Sequence, residues 1–135
     1  MTIKKHQGSC HCGDVRYEVT LDASQGSRCN CTICTKLGTT GALVKPAAFT
    51  LLSDESKLAM YSRHPEIARR YYCARCHVQC FGKGHLEQLG GDFVSVNLNT
   101  LDDWDVATST TIGYWDGRHE NWQGGLRATP WPIEA

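Results

Sequence analysis

The clearest pattern in the chain is strict alternation of apolar and polar positions. In "DVRYEVT" (Asp14–Thr20), Val15, Tyr17 and Val19 alternate with Arg16 and Glu18, as in a strand with one buried face. "GALVK" (Gly41–Lys45) and "FTLLS" (Phe49–Ser53) read as strands separated by Pro46, and "KLAMYSR" (Lys57–Arg63) and "ARRYYCA" (Ala68–Ala74) predict two more. "DFVSVNLNTLD" (Asp92–Asp102) opens with a strand that places Val94, Val96 and Leu98 on one face. "TTIGYWDG" (Thr110–Gly117) predicts a late strand ending in an Asp-Gly turn. Gly26 and Ser27 read as a turn. Helical signals are confined to short stretches at Thr32–Leu37 and Thr100–Asp105. The C-terminal "RATPWPIEA" reads as coil packed by Trp131. The predicted class is mainly β, with many short strands.

Length and composition add bounds. A chain of 135 residues predicts one domain over residues 1–135. Fourteen basic and fourteen acidic residues cancel, and no run of one sign appears. The electrostatic footprint of a nucleic-acid or anionic-membrane binder is therefore not expected. No stretch of eighteen apolar residues predicts a membrane span. "MTIKKHQGSCHCG" has no apolar run behind its lysines, so no secretory signal is expected and the expected location is the cytoplasm, where thiols stay reduced.

The eight cysteines change this picture. They fall into C-x-C (Cys10, Cys12), C-x-C-x-x-C (Cys29, Cys31, Cys34) and C-x-x-C (Cys73, Cys76), with Cys80 four residues further on. A relaxed disulfide does not close within C-x-C. Two thiolates at such spacing chelate one ion from a tight loop, and tetrahedral zinc is commonly held by two such knuckles distant in sequence. Cys10, Cys12, Cys73 and Cys76 supply a closed, structural set. Cys29, Cys31 and Cys34 supply three ligands and leave one position, which either stays open or is filled by Cys80, His64, His77, His85 or His119. The spacing matches neither common ferredoxin run.

"GSCHCGDVRYEV" (Gly8–Val19), "CNCTIC" (Cys29–Cys34) and "CARC" (Cys73–Cys76), with "VNLNTLD" (Val96–Asp102) and "WDGR" (Trp115–Arg118), resemble the glutathione-dependent formaldehyde-activating enzyme (CENP-V/Gfa) family. The resemblance runs from about Gly8 to the C-terminal coil. It implies an Mss4-like fold of several small antiparallel sheets with two zinc ions. The structural ion would be held by Cys10, Cys12, Cys73 and Cys76, and a second, open ion by Cys29, Cys31 and Cys34. It also implies a carbon–sulfur lyase that adds glutathione to formaldehyde, giving S-hydroxymethylglutathione. The different-class alternative is a non-catalytic zinc-binding module for a protein or other partner. Oligomeric state is not encoded in these motifs. One departure stands out: His77 occupies the place after Cys76 where the family usually has glycine, a position that favours left-handed backbone.

Other residues have plainer expectations. His11 reads as an exposed loop residue and Cys80 as a small buried thiol. His77 and His85 read as surface or hydrogen-bonded groups. Tyr114, Trp115 and Trp122 read as core aromatics. The arginines of "RHPEIARR" (Arg63–Arg70) read as a solvated face, although they suit the carboxylates of glutathione.

Overall fold

In the computed structural model, which describes residues 2–133, these residues form ten strands and two short α-helices. β1 (Lys4–Ser9), β2 (Arg16–Leu21) and β5 (Phe49–Leu51) make an antiparallel sheet in the order β1-β2-β5. A second sheet contains β3 (Gln25–Cys29), β4 (Gly41–Val44), β6 (Leu58–His64), β7 (Ala68–Cys73), β8 (Gln79–Leu86), β9 (Gly91–Asn97) and β10 (Thr111–Trp115). Its order is β10-β3-β4-β9-β8-β7-β6, and only β3 with β10 pairs in parallel. The helices are α1 (Thr32–Leu37), after β3, and α2 (Val106–Ser109), before β10. No helix among the described residues is long and apolar enough to cross a membrane.

Alternation explains how the sheets meet. Tyr17, Val19 and Leu21 of β2 point inward, as do Val94 and Val96 of β9. A row of rings crosses the interface. Tyr17 stacks on Phe49 at 5.3 Å, Phe49 meets Phe81 at 4.7 Å, and Phe81 stacks on Tyr71 at 5.3 Å. Such pairs add to the apolar burial that joins the two sheets. The buried Tyr17 hydroxyl lies 2.7 Å from Thr100 Oγ1, so its polar end is satisfied.

The mainly-β expectation holds, and seven of the ten strands coincide with alternating segments. β1, β3 and β8 were not legible. In β1 the inward positions are His6 and Gly8, which carry no apolar signal. In β3, Gly26 and Ser27 form strand rather than turn. In β8 the register with β7 shifts so that Cys80 is an extra, bulged residue. Cys80 and Phe81 are therefore buried consecutively, which breaks the period of two. The second helix lies at Val106–Ser109 rather than Thr100–Asp105, because Asp105 caps it by accepting from the Ala107 amide. Trp131 anchors the C-terminal coil by donating to the Tyr114 carbonyl at 2.9 Å, with the Arg127 guanidinium 4.2 Å above its ring.

Gly84 of β8 tests this packing. A Cβ there would run into the Phe93 ring and the Ile67 carbonyl. Gly84→Ala should lower unfolding free energy by about 1–3 kcal/mol, the usual cost of overpacking. Chemical denaturation measures this, and an unchanged midpoint would contradict the close approach.

Candidate functional site

All eight cysteines are free thiols, and seven of them converge in two groups. Cys10 and Cys12 lie on the turn between β1 and β2. Cys73 ends β7, and Cys76 follows in the turn to β8. The four sulfurs lie within 4.8 Å of one another, with Cys10–Cys12 at 3.7 Å and Cys12–Cys73 at 3.6 Å. Four thiolates about 2.3 Å from a tetrahedral zinc ion stand roughly 3.8 Å apart, so the spacing fits such an ion.

Amides prepare these sulfurs for negative charge. Val15 donates to Cys10 Sγ at 3.2 Å, and Arg75 and Cys76 donate to Cys73 Sγ at 3.3 and 3.4 Å. Burial opposes ionisation of Cys76, but the amides of Val78 and Cys12 hold its thiol down to about 6. At Cys12 the Asp14 amide favours the thiolate, yet burial and the neighbouring sulfurs push the thiol up to about 12. The knuckle between Cys73 and Cys76 closes with His77 N–H on the Cys73 carbonyl and Cys73 N–H on the Val78 carbonyl. His77 takes φ +66°, the left-handed conformation that glycine adopts more easily.

The second group is Cys29, Cys31 and Cys34, with sulfurs also within 4.8 Å of one another. Cys29 ends β3, Cys31 occupies the N-cap of α1, and Cys34 lies within α1. Gly38 ends the helix in the left-handed conformation, its N–H on the Cys34 carbonyl. Hydrogen bonds from Cys29 and then Cys34 hold the Cys31 thiol far below the ordinary range. Cys29 is raised chiefly by its bond to Cys31, and Cys34 by its bonds to Cys29 and Cys31. A divalent ion would let all three ionise, releasing protons.

Among the described residues, no fourth Cys, His, Asp or Glu joins this group. Cys80 is buried in the core, where desolvation pushes its thiol up to about 12. His85 pairs with Asp92 at 2.7 Å and His119 with Asp116 at 2.7 Å. His64 and His77 line cavities beside α1. His11 is exposed.

Parallel pairing of β3 with β10 sets Trp115 opposite Cys29, so "WDGR" follows alongside "CNC". Asn30 is then gripped through every polar group it has. Its amide donates to the Trp115 carbonyl and its side-chain nitrogen to Asp116 Oδ1 at 2.8 Å. Its Oδ1 accepts from the Arg118 amide, and its carbonyl from Arg118 Nε, each at 2.9 Å. Asp116 is buried, and Asn30, His119 and Asn121 together hold its carboxyl below the usual range. Gly117 packs against Cys29 Sγ, where a Cβ would collide with the sulfur. Trp122 crowds the same side of Gly117 as Cys29 Sγ, its ring 5.9 Å from that of Trp115 and more than half exposed. It is a wall of this loop rather than the core aromatic that was expected. The motif "WDGR" was visible in the sequence, but its grip on Asn30 depends on a strand pairing that spacing does not encode.

On the other side of α1 lies a cavity of about 330 Å³, bounded by Ile33 and Leu37 of the helix and by Tyr61, Arg70, Tyr72 and His77. A second, of about 170 Å³, shares Ile33, Tyr61 and Arg70. Arg70 Nη2 lies 3.9 Å from Cys34 Sγ, which ties both cavities to the three-sulfur group.

The family profile of the glutathione-dependent formaldehyde-activating enzyme matches residues 5–117. A Penicillium rubens protein named "Putative glutathione-dependent formaldehyde-activating enzyme" is 32% identical over 103 residues, covering 70% of this chain. The chain spans 53% of that relative's length. A crystal structure of a Rhodobacter sphaeroides protein superposes with a TM-score of 0.70 at 21% identity, covering 81% of this chain and 99% of the other. The chain belongs to the glutathione-dependent formaldehyde-activating enzyme family.

Removing the Asp116 carboxylate should loosen the three-sulfur loop while leaving the four-sulfur group untouched. Asp116→Ala should weaken metal retention at Cys29, Cys31 and Cys34 by about 10–100-fold, as removal of supporting groups around a metal site commonly does. Chelator competition reads this, and equal retention by variant and wild type would contradict the role. The depressed carboxyl also carries a pH signature. Its stabilising contribution is complete above the unfolded value of about 3.9 and is lost as pH falls through the lower folded value.

Proposed function

We propose that the chain promotes addition of a small thiol, with glutathione the first candidate, to formaldehyde or a related small aldehyde. This is carbon–sulfur lyase chemistry, which runs in either direction. The supporting observation is the unequal count of sulfurs, four in one group and three in the other, with the three placed beside a cavity. Cys10, Cys12, Cys73 and Cys76 would hold a structural Zn²⁺. Cys29, Cys31 and Cys34 would hold a second Zn²⁺, leaving its fourth position to the incoming thiol. When bound, that ion would lower the substrate thiol's pKa from about 8.5 and present it as thiolate at neutral pH. The reducing cytoplasm suits both sets of thiols.

The remaining work belongs to the chain's own side chains. Three cysteine thiolates keep the centre electron-rich, so an added sulfur stays nucleophilic. Asn30, clamped by Asp116 and Arg118, fixes the spacing of Cys29 and Cys31. Tyr61, Ile33 and Leu37 wall the cavity next to Arg70, which reaches Cys34 Sγ, and Tyr61 and Leu37 also face solvent. The substrate sulfur forms a bond to the aldehyde carbon, the carbonyl π pair moves to oxygen, and that oxygen takes a proton. With glutathione and formaldehyde the product is S-hydroxymethylglutathione, and every atom of both reactants is retained.

Cobalt substitution tests this reading. Adding glutathione to the Co²⁺-loaded protein should strengthen the sulfur-to-metal band of one ion, and S-methylglutathione should leave it unchanged. A non-catalytic zinc module needs no exchangeable position. A spectrum of two closed four-sulfur sites, unaltered by glutathione, would overturn the proposal in favour of that module.

A further inference from the structure

We propose that Arg70 is a specificity-determining residue that receives a carboxylate of the thiol substrate beside the three-sulfur group. This inference rests on the thiol-binding reading above and names the substrate class more narrowly, as a thiol carrying a carboxylate. Strand geometry singles Arg70 out from its neighbours. Tyr71 stacks on Phe81 in the core, so alternation sends Arg70 and Tyr72 to the opposite face, toward α1. Tyr61 pairs across from Arg70, and Gln79 across from Tyr72. These side chains form the floor of the larger cavity, with Ile33 and Leu37 above.

Arg69 faces the other way and is already occupied, donating to the Pro65 carbonyl at 2.8 Å and the Tyr71 hydroxyl at 3.2 Å. Arg70 has Cys34 Sγ at 3.9 Å as its hydrogen-bond neighbour. Among the described residues it pairs with no Asp or Glu. No acidic residue lines either cavity, Arg63 adds a positive charge to the smaller one, and its His64 faces Glu66 at 3.9 Å. A half-buried guanidinium without a carboxylate partner, set where two cavities join, is suited to bidentate recognition of a carboxylate. The combined space is in the range used by small-molecule ligands, and its aromatic and aliphatic walls stay open to solvent at Tyr61 and Leu37. A ligand whose carboxylate rests on Arg70 has its thiol directed toward Cys34 and the open position. The arginine thereby selects the substrate as well as orienting it.

The test compares 3-mercaptopropionate with its neutral amide, 3-mercaptopropionamide, titrated into the Co²⁺-loaded protein at fixed ionic strength. The readout is equilibrium binding from the sulfur-to-cobalt band. The ratio of the two affinities is measured in wild type, Arg70→Gln and Arg70→Lys, so that intrinsic differences between the thiols cancel. The preference for the carboxylate should fall about tenfold in Arg70→Gln and about threefold in Arg70→Lys, in keeping with the strength of charge-assisted hydrogen bonds, while any common effect of losing the contact with Cys34 cancels in the ratio. If Arg70→Gln does not fold, the Arg70→Lys ratio decides. A ratio unchanged by substitution would overturn this inference while leaving thiol binding intact. If neither thiol alters the wild-type band, the open-site reading itself fails and this inference falls with it.

Discussion

Thiolates crowded together repel one another, and two unit charges about 4 Å apart at an effective dielectric near 20 cost roughly 4 kcal/mol. Seven sulfurs gathered into two groups, each within 4.8 Å, can therefore all ionise only around a cation. In the three-sulfur group the constraint takes the form of hydrogen bonds among the sulfurs that favour the thiolate at Cys31 and the thiol at Cys29 and Cys34. The four-sulfur group sits where the β1–β2 turn of one sheet meets the β7–β8 turn of the other. An ion there would fasten the sheets at a point the aromatic row of Tyr17, Phe49, Phe81 and Tyr71 does not reach, and its binding energy would count as folding energy.

The three-sulfur group is supported differently. It stands at the end of β3, held from one side by the clamp of Asp116 and Arg118 on Asn30 and flanked on the other by α1 and Arg70. The clamp depends on the parallel register of β3 with β10, the one parallel pairing among the described strands. If this group holds an ion with three sulfurs, a clamped loop with one remaining position is the arrangement expected where an ion exchanges ligands.

The two sulfur groups were legible because chelating cysteine spacing is local chemistry. C-x-C, C-x-C-x-x-C and C-x-x-C announce themselves by spacing, and alternation located β2 through Val15, Tyr17 and Val19 as well as β9 through Val94 and Val96. What escaped notice depended on tertiary pairing or on broken periodicity. The bulge at Cys80 hid β8, and inward His6 and Gly8 hid β1. Asp105 carried a helix-start signal, yet the helix was expected six residues earlier. Arg63, Arg69 and Arg70 looked alike in sequence, although the period of two could have separated Arg70 from Arg69 once Tyr71 was assigned to the core. His77, standing where glycine is usual, implied either left-handed backbone under strain or a different knuckle, and its φ of +66° is the first of these.

The central claim is that one sulfur group is closed and the other is open. X-ray absorption at the zinc edge, combined with elemental analysis of protein purified without added metal, tests it most directly. The account predicts two zinc ions per chain with an average of about 3.5 sulfur neighbours near 2.3 Å, completed by a light-atom ligand at one of them. One ion per chain, four sulfurs around both ions, or an iron–sulfur absorbance would contradict it.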